Sequence, residues 1–164
     1  MTQPPDRKPV LTGGCQCGNI RYALYAMPTN MSVCYCRMCQ KAMGGPYAAL
    51  VPNQPADFSW TRGQPGTFTS SNIAARDFCR DCGTPLTYRN LLVDRTSVSS
   101  ATLDQPYAYV PQAQYGIENR PHFAAALAGL REVPMSTYVT PGNEARFASR
   151  QHPDHDTDRW PRGA

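Results

Sequence analysis

The chain has 164 residues and a net charge of +4, carried almost wholly by arginine, since Lys8 and Lys41 are its only lysines. Its basic residues are scattered from Arg7 to Arg162 without a run, which argues against a nucleic-acid surface, and no stretch approaches the ~20 apolar residues of a membrane span. The length suits one domain with its own core, and 16 prolines with 12 glycines point to many turns and short strands, a mostly β fold.

The first ten residues are polar and proline-rich and are expected to form a disordered arm (1–10). They contain no apolar export segment, so a reducing, cytoplasmic compartment is expected. The domain proper is expected over 11–139. Its first cysteine pair, Cys15-Gln16-Cys17, ends on Gly18, and Asn19 to Tyr25 (NIRYALY) then alternates as a strand. Met31 to Tyr35 leads into Cys34, Cys36 and Cys39, a compact loop-to-helix turn. Gly44-Gly45 break the chain before a strand at Pro46 to Val51. Short strands are predicted at Asp57 to Trp60, Gly66 to Ser70 and Ala74 to Phe78.

Cys79 to Cys82 reads as a tight turn leading to a strand at Leu86 to Arg89, and Thr96 to Leu103 (TSVSSATL) reads as a further strand. The best helix candidate is Pro121 to Arg131, where proline suits the first turn and alanine and leucine follow. From Thr140 onward Pro, Gly, Asp, Arg and His replace the apolar residues, so 140–164 is expected to be a disordered tail.

Seven cysteines in three tight clusters carry the chemical signal. In a reducing compartment such clusters indicate metal ligation more than disulfides. Thiolates one or two residues apart chelate a soft cation, and Zn²⁺ favours tetrahedral sulfur. Seven divides into four plus three: a closed site, and an open one whose fourth position is free for water or substrate. Cys79-x-x-Cys82-Gly83 has the form of a zinc knuckle, in which backbone N–H groups face the sulfurs. Cys15-x-Cys17-Gly18 has the same ending and can complete that tetrahedron. Spacing leaves another partition open, with Cys34, Cys36, Cys79 and Cys82 together and Cys15, Cys17 and Cys39 as the remnant.

Three ordered motifs carry a family resemblance: Gly13-Gly14-Cys15-x-Cys17-Gly18-x-Ile20-Arg21-Tyr22, Cys34-x-Cys36-x-x-Cys39-x-Lys41-x-x-Gly44, and Phe78-Cys79-x-x-Cys82-Gly83-Thr84-Pro85-Leu86. Over roughly Leu11 to Pro134 the chain resembles the glutathione-dependent formaldehyde-activating enzymes, a family that also contains centromere protein V. The resemblance implies a β-tent, Mss4-like fold of short antiparallel sheets stapled by zinc. It implies a structural zinc on Cys15, Cys17, Cys79 and Cys82 and a labile catalytic zinc on Cys34, Cys36 and Cys39. It also implies a carbon–sulfur lyase that adds a small thiol such as glutathione to formaldehyde or a related carbonyl, or cleaves the adduct. The chain departs from the family at Tyr35, where many relatives carry histidine, and tyrosine cannot carry protons near neutral pH as histidine does.

Arg37 and Lys41 flank the trio and are candidates to offset thiolate charge or hold glutathione carboxylates, against the plainer reading of surface residues. His122 is better read as structural than as a ligand or proton donor, and His152 and His155 as parts of a solvated tail. Two other function classes fit the same cysteines: a zinc-stabilised protein-binding module, and a thiol redox or zinc-buffering protein. The incomplete trio favours the enzyme over the module.

Overall fold

The computed structural model describes residues 6–160. Proline and glycine interrupt the chain so often that, among the described residues, no strand exceeds six residues. Stability therefore comes from pairing many short strands. β1 (Leu11–Gly14) and β2 (Arg21–Leu24) precede β3 (Ser32–Cys34), helix α1 (Arg37–Met43), β4 (Ala48–Asn53) and β5 (Phe58–Arg62). After them come β6 (Gly66–Ser71), β7 (Ala74–Phe78), β8 (Pro85–Asn90), β9 (Arg95–Ser99) and β10 (Ala113–Tyr115). One sheet has the order β1-β2-β5, the other β10-β3-β4-β9-β8-β7-β6, and every pairing is antiparallel except β10 with β3. The mostly β fold of short antiparallel sheets, the β-tent, is thus the one adopted.

The apolar faces of the two sheets meet over Tyr22, Leu24, Val51, Leu86, Val98 and Leu103, all essentially inaccessible. Tyr22 stacks on Phe58 at 5.6 Å between ring centroids, and Phe58 meets Trp60 edge-on at 4.8 Å. The buried Tyr22 hydroxyl is satisfied by Thr102 Oγ1 at 2.8 Å. Cys15 and Cys79 belong to this same core, with Cys17 and Cys82 packed against it.

Four elements differ from the expectation. The strand read as Thr96 to Leu103 stops at Ser99, because Thr102 Oγ1 bonds back to the Ser99 carbonyl at 2.7 Å and turns Ser100–Thr102 into a single 3₁₀ turn. That bend carries Leu103 into the core, where it bridges to Gly13. The helix expected over Pro121 to Arg131 is a 3₁₀ stretch, His122–Gly129, with no buried residue. Without an apolar face packed on the domain, propensity alone does not sustain an α-helix of that length. β1 and β10 were not foreseen, since Leu11–Gly14 ends in two glycines and Ala113–Tyr115 is wholly exposed.

The terminal segments also make contacts. Residues 1–5 of the expected arm and 161–164 of the expected tail lie outside the described residues. Arg7 pairs with Asp57 and lies over the Tyr25 ring, and the Val10 N–H donates to the Leu24 carbonyl at 2.8 Å. From the tail, the His152 N–H donates to the Gln16 carbonyl at 2.8 Å, and the His152 ring is buried. Gly18, at φ +77°, makes room for it: a Cβ there would lie 2.4 Å from His152 Cδ2. The buried Arg21 donates Nη1 to Asp104 Oδ1 at 2.9 Å and Nε to Asp156 Oδ1 at 3.0 Å, and Arg62 donates to the Thr157 carbonyl. The polar composition of 140–164 hid these contacts, because they are made by charged and hydroxyl groups and not by apolar ones.

Asp104 and Asp156 share Arg21 unequally, with side chains 10% and 52% exposed. Removing the partner of a buried charge costs about 3 kcal/mol or more, whereas an exposed one contributes up to about 1 kcal/mol. Asp104→Ala is therefore expected to lower the unfolding free energy by about 3 kcal/mol and Asp156→Ala by at most about 1 kcal/mol. Urea titrations of both variants check this ordering, and equal losses would contradict it.

Candidate metal centres

Two turns, one in each sheet, bring four sulfurs together. The Cys15–Cys17 turn joins β1 to β2, closed by the Gly18 N–H donating to the Cys15 carbonyl at 3.0 Å. The Cys79–Cys82 turn joins β7 to β8, closed by the Gly83 N–H donating to the Cys79 carbonyl at 3.0 Å. The Sγ atoms of Cys15, Cys17, Cys79 and Cys82 all lie within 4.8 Å of one another. Cys15 to Cys17 is 3.5 Å and Cys17 to Cys79 is 3.7 Å. A zinc tetrahedron with bonds of about 2.3 Å has edges of about 3.8 Å, so the donor set and spacing fit that ion.

Cys34, Cys36 and Cys39 form a second group, also within 4.8 Å of one another. The end of β3 supplies Cys34, the residue before α1 supplies Cys36, and the first turn of α1 supplies Cys39. Of the partitions that spacing left open, the structure brings together the four and leaves these three. Both groups can hold a metal ion. The trio packs apart from the main core, with Ala48, Leu50, Met43 and Tyr88.

Local hydrogen bonds split the acidities within each group. In the four-cysteine group burial pushes thiols up, raising Cys17 and Cys79. At Cys82 burial acts the same way, but the Thr84 hydroxyl, at 3.1 Å, and the N–H groups of Thr84 and Cys17 outweigh it and hold the thiol at about 6. In the trio burial pushes Cys34 up to about 12 and raises Cys39. Cys36 moves down despite burial, through the Cys39 N–H, its neighbouring thiols and the charge of Arg76. Cys82 and Cys36 are thus the sulfurs shifted toward the thiolate, and a bound dication would displace protons from the others.

Arg76 is the residue that sequence reasoning missed. It is 7% exposed on β7, donates Nη2 to Cys39 Sγ at 3.4 Å and Nε to Ser70 Oγ at 3.3 Å, and lies over the Tyr88 ring at 5.2 Å. Its signal in the sequence is slight: an arginine following Ala74-Ala75 in a strand otherwise suited to burial. The anticipated cations sit elsewhere. Arg37 and Lys41 are exposed on α1, and Arg37 donates to Gln40 Oε1 at 2.9 Å. Neither lines the cavity described next. His122 is exposed and meets Phe123 edge-on, and Tyr35 is buried against Tyr47 at 5.7 Å.

A cavity of about 950 Å³ opens on the trio, lined by Cys34, Cys36, Cys39, Arg76, Tyr88 and Asn53 among others. Its size suits a ligand of small-peptide dimensions. Among the described residues, four buried side-chain polar atoms lack a partner, and three of them, Asn53 Nδ2, Asn53 Oδ1 and Arg76 Nη1, belong to residues of this cavity wall. A second cavity of about 580 Å³ adjoins Cys82 and Thr84 and is walled by His152, but contains none of the trio. Over the trio, the segment after β10 is pinned by the Tyr35 N–H donating to the Tyr115 carbonyl at 2.8 Å. There Gly116, at φ +65°, brings its backbone against Cys36, and a Cβ would lie 2.8 Å from the Cys36 nitrogen.

Residues 10–119 match the family described as glutathione-dependent formaldehyde-activating enzyme. A protein of Schizosaccharomyces pombe named as an uncharacterized lyase is 31% identical over 78 residues, which cover 48% of this chain and 56% of that protein. The chain thus spans about half the length of this curated relative. A crystal structure of a Rhodobacter sphaeroides protein aligns with a TM-score of 0.50 at 20% identity, covering 63% of this chain and 98% of that one, and shows the fold alone.

The two groups are expected to respond differently to mutation. Cys82→Ser removes a sulfur from the group packed into and against the core and should lose one tightly held metal and much of the folded domain. Gly116→Ala strains only the edge over Cys36 and should weaken metal at the trio while the melting temperature falls by a few degrees, about 1 kcal/mol. Metal analysis and thermal melts of both variants decide this. A Cys82→Ser protein with unchanged melting and metal content would contradict the division of roles.

Proposed function

The chain belongs to the glutathione-dependent formaldehyde-activating enzyme family, and on that premise we propose that it is a zinc-dependent carbon–sulfur lyase. In this reading it joins a small thiol such as glutathione to formaldehyde or a related small carbonyl, or cleaves the adduct. The observation that carries the reading is the trio: three convergent sulfurs facing a cavity large enough for a tripeptide thiol, beside a closed four-sulfur group. Cys15, Cys17, Cys79 and Cys82 would hold a structural Zn²⁺, and Cys34, Cys36 and Cys39 a second one. When bound there, the ion supplies a Lewis acid with an open position that lowers the pKa of an incoming thiol.

The bond changes are balanced without a redox partner. The thiol sulfur forms a bond to the carbonyl carbon, the π pair moves to oxygen, and the thiol proton ends on that oxygen as a hydroxyl. Cleavage is the reverse. The chain's own residues bind and orient. The walls of the cavity hold the thiol with its sulfur toward the trio, and burial of Cys39 and Arg76 keeps bulk water from that end. Asn53, whose amide is buried without a partner, stands on the same wall at the opposite end of β4 from Ala48, the residue paired with Cys34. An amide there suits the peptide or carboxylate groups of a thiol longer than a bare mercaptan.

Because thiols and formaldehyde combine unaided, the informative quantity is acceleration over the uncatalysed reaction. Cys36→Ser is expected to leave folding intact, since the four-cysteine group is untouched, and to lower that acceleration by at least about a hundredfold. Adduct formation and cleavage followed by NMR, alongside a thermal melt, check this. Undiminished acceleration in a folded Cys36→Ser protein would remove the trio from the chemistry.

A further inference from the structure

Arg76 is a buried cation without a carboxylate. Among the described residues it forms no ion pair, although its neighbour Asp77 is 5% exposed and fully engaged. Strand alternation sends residues 76 and 77 to opposite faces. Asp77 accepts from Arg89, at 2.9 and 3.1 Å, and from the hydroxyls of Thr67 and Thr87, both at 2.6 Å. Those contacts hold its carboxyl below the usual range against the upward push of burial. Arg76 has only Ser70, the Tyr88 ring and Cys39, and its Nη1 has no acceptor at all.

A guanidinium stays charged at any relevant pH, and burying it unpaired is costly. The group it meets is the trio, through Cys39 Sγ at 3.4 Å, and the trio sulfurs would become thiolates on binding a metal ion. We propose that Arg76 is the counter-ion of the trio and sets its preference for an anionic fourth ligand, so that the open position takes a thiolate in place of a neutral donor. This inference rests on the reading of the trio as an open metal site. Three thiolates and a dication sum to minus one, and a bound substrate thiolate would bring the centre to minus two in a half-buried cavity. The fixed charge of Arg76 returns the assembly to neutrality before the thiolate arrives and to minus one after it. A neutral donor such as imidazole leaves the sum unchanged and has no need of that charge. Arg76 is thus a positioning and specificity residue that acts through Cys39 and through its field.

The test uses the full chain loaded with Co²⁺, whose visible and thiolate charge-transfer bands report the fourth ligand. Glutathione and imidazole are titrated separately into wild type, Arg76→Met and Arg76→Lys. In general, a unit charge ~6 Å from an anion in a partly screened site changes its affinity by about tenfold to a hundredfold. Arg76→Met should lose that much glutathione affinity while imidazole affinity stays within about twofold, and Arg76→Lys, which keeps the charge, should recover most of the loss. Equal glutathione affinity in wild type and Arg76→Met overturns the inference. So does a parallel loss of both ligands in Arg76→Met with none in Arg76→Lys, because that pattern marks a packing role. Should wild type bind imidazole but no glutathione, the thiol-lyase reading itself fails, and this inference with it.

Discussion

Sulfur held against sulfur is the contact on which this fold depends. Four thiols lie within 4.8 Å of one another, and the two turns that bring them there are more than sixty residues apart in sequence, as the Cys17–Cys79 contact shows. Strands of at most six residues cannot lock such distant turns by pairing alone. Thiolates at that distance repel unless they keep their protons or share a cation. A shared dication would turn the repulsion into a crosslink between the β1–β2 turn of one sheet and the β7–β8 turn of the other, and its binding free energy would become folding free energy. The packing of Cys15 and Cys79 into the same cluster as Tyr22, Leu86 and Leu103 ties that crosslink to the apolar core.

The trio follows the opposite logic. It packs in a separate, smaller cluster from the main core and opens on a cavity. A site that adds little to the core can lose or exchange a ligand without unfolding the domain. The unmet hydrogen-bonding groups of Asn53 and Arg76 point the same way. Buried polar atoms without partners are uncommon in stable proteins, and their concentration on one cavity wall is what a ligand site looks like before the ligand arrives.

The cysteine arithmetic was the legible part of this sequence. Short local spacing fixes which sulfurs can share an ion, so the four-plus-three division could be read directly, and most strands could be placed from alternation between glycines and prolines. The partner of each cysteine pair was not legible from spacing, because it depends on where β7 and β8 lie relative to β1. Arg76 was missed for a related reason. Arg37 and Lys41 are adjacent to the trio in the chain, but α1 turns them to solvent, whereas Arg76 comes from a strand nearly forty residues on. The contacts of the tail were not legible because composition reports burial of apolar residues, whereas His152, Asp156 and Thr157 dock through hydrogen bonds and an ion pair.

X-ray absorption at the zinc edge tests the central claim most directly, that seven cysteines form one closed and one open metal site. The fully loaded protein should hold two zinc ions sharing seven sulfurs, with a single light-atom ligand, and saturating glutathione should replace that ligand so that eight sulfurs are shared. One zinc ion with four sulfurs, unchanged by glutathione or added metal, would contradict the account.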